Sequence, residues 1–227
     1  MNIRINEIFQ SISGEAGHPS FPQGTFCSFV RFQGCNCQCN WCDTAHSQDP
    51  EAGRSMSVGE ILSEIGINNY IVITGGEPAL QALSLSMLTR ALTQAGKHVQ
   101  IETNGTFIPV DFGENCTWVI DYKLPSSGVS NKMRSVFDFF SAIQKGNSVI
   151  KFVFDSIADI EMMFEKIKLF IEMLNMQATP VRFAPFILSP TESGKQYSKK
   201  IVQRIFDQNL QEYCVFSLQS HKILNLK

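Results

Sequence analysis

Tyr70-Ile-Val-Ile-Thr-Gly-Gly-Glu-Pro78 is the stretch on which the fold turns. Residues 70–74 are apolar or β-branched and read as a buried strand, which Gly75, Gly76 and Pro78 then break. Residues 79–95 read as a helix. Working outward, residues 25–31 predict an earlier buried strand. Ser57-x-x-Glu60 ahead of Ile61, Leu62 and Ile65 is a capping box that starts a helix. Further strands are predicted at 99–102, 118–122, 149–154 and 181–184. Between the last two, Ile160, Met163, Phe164, Ile167, Phe170, Ile171 and Leu174 recur at three- and four-residue steps, the core face of a long helix.

Repeated strand-then-helix units imply an α/β fold with a parallel sheet and right-handed crossovers. Six strands with few helices suit a shortened, partly open (β/α) barrel, although the sequence alone does not separate this from a doubly wound sheet. In both, ligands gather at the C-terminal ends of the strands. Residues that do chemistry are therefore expected just after strands.

The bulk properties narrow the function classes. The chain has 227 residues, 44% hydrophobic and 18% charged, enough for one sizeable core and read here as one domain over residues 1–227. Nineteen Lys and Arg against 21 Asp and Glu give a net charge of −2, without the basic excess that nucleic acid selects. A small substrate is expected. No apolar run approaches the roughly 18 residues of a membrane span, and MNIRINEIFQ lacks the apolar core of a signal peptide. The expected location is the cytoplasm.

Four of the seven cysteines fall within eight residues, in Gly34-Cys35-Asn36-Cys37-Gln38-Cys39-Asn40-Trp41-Cys42-Asp43-Thr44, directly after the first predicted strand. In a reducing compartment such crowding favours metal over disulfide. Cys35, Cys39 and Cys42 form C-x3-C-x2-C, three thiolates on one tight loop that suit three corners of a four-iron cube. The alternative is a zinc loop, but zinc sites pair one C-x2-4-C with another pair or with two histidines, and no second pair follows. C-x-C-x2-C through Cys37 is also available; Cys37 is read as a bystander.

At this loop the chain resembles the radical SAM (S-adenosylmethionine) superfamily, whose signature is C-x3-C-x2-C after a first strand, with an aromatic residue, here Trp41, before the last cysteine. More of the chain resembles one family, 7-carboxy-7-deazaguanine synthase. The matching segments are Glu7 to Glu15 (EIFQSISGE), Phe29 to Cys35 (FVRFQGC), Trp41 to Thr44 (WCDT), Ile71 to Pro78 (IVITGGEP), Ile101 to Thr106 (IETNGT) and Leu218 to Lys222 (LQSHK). They run in order along the whole chain.

The resemblance implies conversion of 6-carboxy-5,6,7,8-tetrahydropterin to 7-carboxy-7-deazaguanine with loss of ammonia, in queuosine and deazapurine biosynthesis. It implies a [4Fe-4S] cluster, SAM and Mg²⁺ as cofactors. SAM would be cleaved reductively to methionine and a 5′-deoxyadenosyl radical that takes hydrogen from C6 of the substrate, with SAM used catalytically. An external electron donor such as flavodoxin is implied, and a homodimer is expected because an open barrel leaves apolar surface to cover.

Carried over residue by residue, Cys35, Cys39 and Cys42 match the cluster ligands and Thr44 the threonine that helps bind Mg²⁺; otherwise Thr44 reads as a loop hydroxyl capping a helix. Ile12, Ser13 and Gly14 match a segment that contacts the pterin through backbone, and Glu15 continues it. Arg31 matches the arginine that pairs with the substrate carboxylate, and Thr74 a further substrate position. Gly76 and Glu77 of the glycine turn, with Trp41, Cys42 and Asp43, match SAM contacts. Asp121, Tyr122 and Lys123 stand where the family has a Ser-Pro-Lys type segment, and Ala184, Pro185, Phe186 and Ile187 where a Gln-Pro segment is common. Asn104 lies beside SAM by strand order, or is simply the turn residue of Asn-Gly. Gln219 and His221 are expected near the substrate, a surface histidine being the plain alternative. Ser13 replaces a common Gln and Ala16 a common Gly, which leaves the fine geometry of the pterin site open.

Two rivals share parts of this pattern. A radical SAM activase that makes a glycyl radical would have a protein substrate and no pterin site. A non-catalytic iron-sulfur or zinc module would neither bind nor cleave SAM. Thr44, Arg31 and the C-terminal Gln-Ser-His-Lys favour the synthase over both.

Overall fold

The computed structural model describes residues 2–107, 115–179 and 183–226. Strands β1 (Ile3–Ile12), β2 (Phe26–Phe32) and β3 (Arg54–Met56) precede helix α1 (Val58–Ile65). Then come β4 (Tyr70–Gly75), α2 (Ala82–Gln94), β5 (His98–Thr103), β6 (Cys116–Lys123), α3 (Val136–Ile143), β7 (Ser148–Phe154), α4 (Ile157–Asn175), β8 (Phe186–Pro190), α5 (Ser198–Asp207), β9 (Cys214–Phe216) and α6 (Ser220–Ile223). The nine strands form one sheet in the order β3-β1-β2-β4-β5-β6-β7-β8-β9. From β2 to β9 every pairing is parallel, while β1 pairs antiparallel with β2 and β3.

This order resolves the alternative that the sequence left open. From β2 onward each parallel strand lies beside the next in the chain, with no reversal, whereas a doubly wound sheet must turn back at a switch point. Right-handed crossovers that all step one way place their helices on one face. Val30, Ile73, Ile101, Ile120, Ile150 and Leu188 point to that face and form the main core with Ile61, Leu88, Met163, Phe164 and Ile167 of the helices. The sheet stays open, edged by the three-residue strands β3 and β9, short enough to offer little unpaired backbone.

The predicted capping box is present: Ser57 Oγ accepts from Glu60 N while Glu60 accepts from Ser57 N at 2.7 Å. The predicted helix over 79–95 instead opens as a 3₁₀ turn, Pro78–Gln81, before α2. Of the strand predicted at 181–184, residues 181 and 182 lie outside the described residues, and the strand itself is Phe186–Pro190. Strands β1, β3 and β9 were not predicted.

The turn after β4 is clamped from beneath. Glu77 is fully buried and accepts from Thr103 Oγ1 (2.9 Å to both oxygens), Asn104 N (2.6 Å) and Ala79 N (2.9 Å), tying the end of β4 to the end of β5. Burial pushes its pKa above the usual carboxylate range against the pull of those donors. Glu77→Ala would leave buried donors unpaired, each costing about 1–3 kcal/mol. Urea denaturation of the anaerobically prepared variant is expected to show a loss of about 3 kcal/mol or more.

Candidate functional site

The face of the sheet without helices carries the polar strand residues. Arg31 of β2 lies in register with Thr74 of β4, and Asp121 of β6 with Lys151 of β7. All four, with Glu102 of β5 and Ser189 of β8, line a cavity of about 440 Å³ at the C-terminal half of the strands. The end nearer the strand N-termini is sealed by the β1–β2 connection: Ala16 packs on Val119, Val149, Ala184 and Ile187, and His18 N donates to Gln100 Oε1 at 3.2 Å. The methyl group at the Ala16 departure is thus a packing contact.

Cys35, Cys37, Cys39 and Cys42 all line the cavity. The loop is held by its own backbone: Gly34 N donates to Ser47 O (2.8 Å), Cys35 N to Gln48 O (3.1 Å) and Asn40 N to Ser127 O (3.0 Å). Cys35 Sγ accepts from Cys37 N (3.4 Å) and Asn104 Nδ2 (3.8 Å), donors that favour a thiolate. Burial raises the pKa of Cys35 and Cys39, and that of Cys37 to about 11, so metal must displace the protons. Among the described residues no three His, Cys, Asp or Glu side chains are placed to hold a single ion.

The glycine turn abuts this loop. A Cβ on Gly75, at φ 145°, would meet Phe32 O at 2.3 Å, and one on Gly76 would meet Gly34 O at 2.2 Å. The glycines are therefore demanded by the neighbouring backbone, and Glu77 N completes the contact by donating to Gly34 O at 2.8 Å. Thr44 precedes the 3₁₀ turn Ala45–Ser47 but its hydroxyl caps nothing; it lies 3.8 Å from Cys42 Sγ. Asn104 is a turn residue, accepting from Thr106 N (3.0 Å), and its Nδ2 also reaches Cys35 Sγ and Asn36 Oδ1.

Charges across the cavity floor form one chain. Lys123 Nζ sits 2.6 Å from Asp121 Oδ2 and 5.1 Å over the Trp41 ring. Lys151 Nζ is 3.4 Å from Asp121 Oδ1 and 2.9 Å from Glu15 Oε2, and Glu15 also accepts from Gln219. Burial opposes ionisation of both carboxylates, yet Lys151 and Gln219 hold the pKa of Glu15, and Lys123 and Lys151 that of Asp121, below the usual carboxylate range. Lys151 is correspondingly raised well above a normal lysine. Glu102, bonded by Thr74 Oγ1 at 2.9 Å, is raised by burial. Arg31 Nε donates to Glu7 Oε1 at 2.9 Å and lies 5.7 Å over Phe9, which stacks on Phe29.

The C-terminus closes the wall. Ser220 N and Oγ donate to Gly14 O at 2.8 and 2.9 Å, and Lys222 pairs with Asp43 at 2.7 Å. The His221 ring packs so tightly on Gly14 that a Cβ there would fall 1.8 Å from Nδ1. Ser13, Gly14, Glu15, Gln219 and His221 thus meet around one cavity with Trp41, Asp43, Thr44, Thr74 and Gly76.

Other residues assigned from the resemblance lie elsewhere. Glu77 is committed beneath the turn. Tyr122 faces the helices, against Phe139 and Phe152, because it alternates with the cavity-facing Asp121 and Lys123. Ile12 ends β1 opposite Phe26 and does not line the cavity. Ala184 and Pro185 precede β8 and Phe186 and Ile187 begin it, at the strand's N-terminal end: Phe186 is core, and Ala184 and Ile187 pack with Ala16. Ser189, Pro190 and Thr191, at its C-terminal end, line the wall instead. Lys151 and Ser189 had escaped the sequence reading. The signal for Lys151 was present, since it is the one charge in the apolar run Ser148–Phe154.

Comparisons with known proteins agree with this architecture. The Radical SAM superfamily profile matches residues 29–114. A 7-carboxy-7-deazaguanine synthase of Methanospirillum hungatei is 33% identical over 99% of this chain and 86% of its own length. One of Clostridium acetobutylicum is 32% identical over 99% and 96%. The crystal structure of QueE from Escherichia coli superposes with a TM-score of 0.71 at 25% identity, covering 97% of this chain and 95% of QueE. Streptococcus suis SuiB, at 16% identity and a TM-score of 0.61 over 83% of this chain and 47% of its own, shares the fold alone. The chain belongs to the 7-carboxy-7-deazaguanine synthase family, radical SAM enzymes of deazapurine biosynthesis.

Proposed function

We propose that this chain makes 7-carboxy-7-deazaguanine from 6-carboxy-5,6,7,8-tetrahydropterin with loss of ammonia, using Mg²⁺ beside the superfamily's [4Fe-4S] cluster and SAM. The supporting observation is that three loop thiols, Arg31, Thr44 and the Glu15–Gln219 pair all open into one cavity. When bound, the cluster and SAM supply the electron and the hydrogen-abstracting radical.

The chain's own residues hold and orient. Cys35, Cys39 and Cys42 would ligate three irons, with Cys37 a bystander whose backbone N–H supports Cys35. Gly76 presents backbone, and Trp41 with Lys123 a ring and a cation, on the cluster side where SAM belongs. Arg31, oriented by Glu7, suits a carboxylate. Glu15 suits the N–H edge of a guanidine-like ring, and Gln219 and His221 wall it from water. Glu15 and Asp121 are already committed to lysines. A Mg²⁺ ion would therefore lean on the Thr44 hydroxyl, the substrate carboxylate and retained waters, as this hard cation prefers. An external reductant such as flavodoxin, a single domain and a cytoplasmic setting complete the proposal; no described helix is long and apolar enough to cross a membrane. Exposed Leu218, Ile223 and Leu224 support a homodimer.

Anaerobic reconstitution with SAM, reductant, Mg²⁺ and carboxytetrahydropterin is expected to yield the deazaguanine, read by absorbance and mass; SAM cleavage without product would sink the substrate assignment. Iron analysis should separate the cysteines: Ala at Cys35, Cys39 or Cys42 loses the cluster, whereas Cys37→Ala keeps its full iron and the Fe–S absorbance. Arg31→Ala is expected to raise the pterin KM about 10- to 100-fold, corresponding to the ~1.5–3 kcal/mol of a charge-assisted hydrogen bond, in steady-state kinetics at saturating SAM.

A further inference from the structure

Three carboxylates surround the Lys151 ammonium in the cavity, and Lys123 holds one of them, Asp121, from its other side. Lys151, 9% exposed, lies 2.9 Å from Glu15 and 3.4 Å from Asp121, and Glu102 also stabilises its charge. Asp121 Oδ1 is buried without a hydrogen bond, so the longer contact is an ion pair, and the shorter one fixes the direction of Glu15. A buried carboxylate without a partner would turn toward whatever donor it found, or take up a proton.

We propose that Lys151 is a positioning residue that makes Glu15 an acceptor for a two-donor, amidine-type N–H edge, and so selects a cyclic guanidine such as the reduced pterin ring. This rests on the function proposed above. The argument is one of lone pairs. Lys151 occupies one site on Glu15 Oε2 and Gln219 one on Oε1, so the carboxylate is anchored from both sides while each oxygen keeps a second lone pair. Two N–H groups side by side match two such oxygens. Polarity then sets the orientation of the ligand. The floor around Glu15, Asp121 and Glu102 is rich in acceptors and repels a further carboxylate, which belongs with Arg31. A neutral acceptor-rich ring has no place at this end.

Steady-state kinetics with the carboxytetrahydropterin test the assignment in the whole, cluster-loaded enzyme. Lys151→Met is expected to raise the pterin KM at least 10-fold with a smaller change in kcat, and Lys151→Arg to recover most of the loss, since a guanidinium still pairs with Glu15. Because the Met variant strands a buried carboxylate and so threatens folding, Lys151→Met/Glu15→Gln removes both charges together. Its KM should resemble that of Glu15→Gln alone, as expected if the lysine acts through the glutamate. An unchanged KM in Lys151→Met, or effects of the two substitutions that multiply independently, would overturn the inference while leaving the function intact. Failure of the unsubstituted enzyme to convert the pterin would overturn both.

Discussion

Crossovers that always step in the same direction leave one face of a parallel sheet with no helix to cover it, and this chain must fill that face by other means. Half of it is filled by chain. The β1–β2 connection lays Ala16 on Val119, Val149 and Ile187, and Gly17 lies so close to Gln100 that a Cβ would reach its Oε1 at 2.0 Å. The other half is left as a cavity. Strand residues facing it are charged or polar, and burying charge is tolerable only when it is paired and hydrogen-bonded. That requirement accounts for Lys151 between Glu15 and Asp121, Lys123 on Asp121, Arg31 on Glu7 and Glu102 under Thr74. A polar cavity walled by mutually satisfied groups is rigid, which is what ligand positioning demands.

The cysteine loop obeys the same logic at the strand ends. It follows β2 and rests on the turn after β4, where only glycine fits. Backbone bonds to Ser47, Gln48, Ser127 and Glu77 fix its path, and Lys132 Nζ adds one to Asn36 O at 2.8 Å. The thiols are thus set by the fold around them. Glu77 illustrates the division of labour in the glycine turn: its backbone supports the loop, and its carboxylate joins β4 to β5 out of reach of the cavity.

The parallel core and the motif positions were legible because they rest on local signals: apolar runs, Gly and Pro breaks, a capping box, cysteine spacing. What escaped depended on distant partners. β1 reads poorly as a strand because its register shifts between Ile5 and Glu7. This puts Ile3 and Ile5 in the core but turns Glu7 and Phe9 toward the cavity side, and the period-two pattern breaks with it. Around β8 the sequence has two short apolar stretches separated by Pro185, and no local rule says which of them pairs with β7. The reading took the earlier one, and the ligand segment that the resemblance places at residues 184–187 stops three residues before the strand's end at Pro190. The role of the C-terminal tail came from resemblance, and its bonds to Gly14 and Asp43 could be seen only in the folded chain.

Asp121 shows how a departure from a family pattern can be absorbed. On the resemblance this is the place of a Ser-Pro-Lys type segment, and the chain carries there a carboxylate in a buried strand, which in isolation would be costly. Its two oxygens lie between Lys123 and Lys151, cations 7% and 9% exposed on adjacent strands. Without an intervening anion those ammoniums would repel one another in a poorly solvated site. With it, their charges divide the cavity: Lys123 faces Trp41 and the thiol loop, and Lys151 faces Glu15. The substitution therefore separates two cationic positions that serve different ends of one cavity, and it does so without adding net charge that the neighbouring lysines do not already balance.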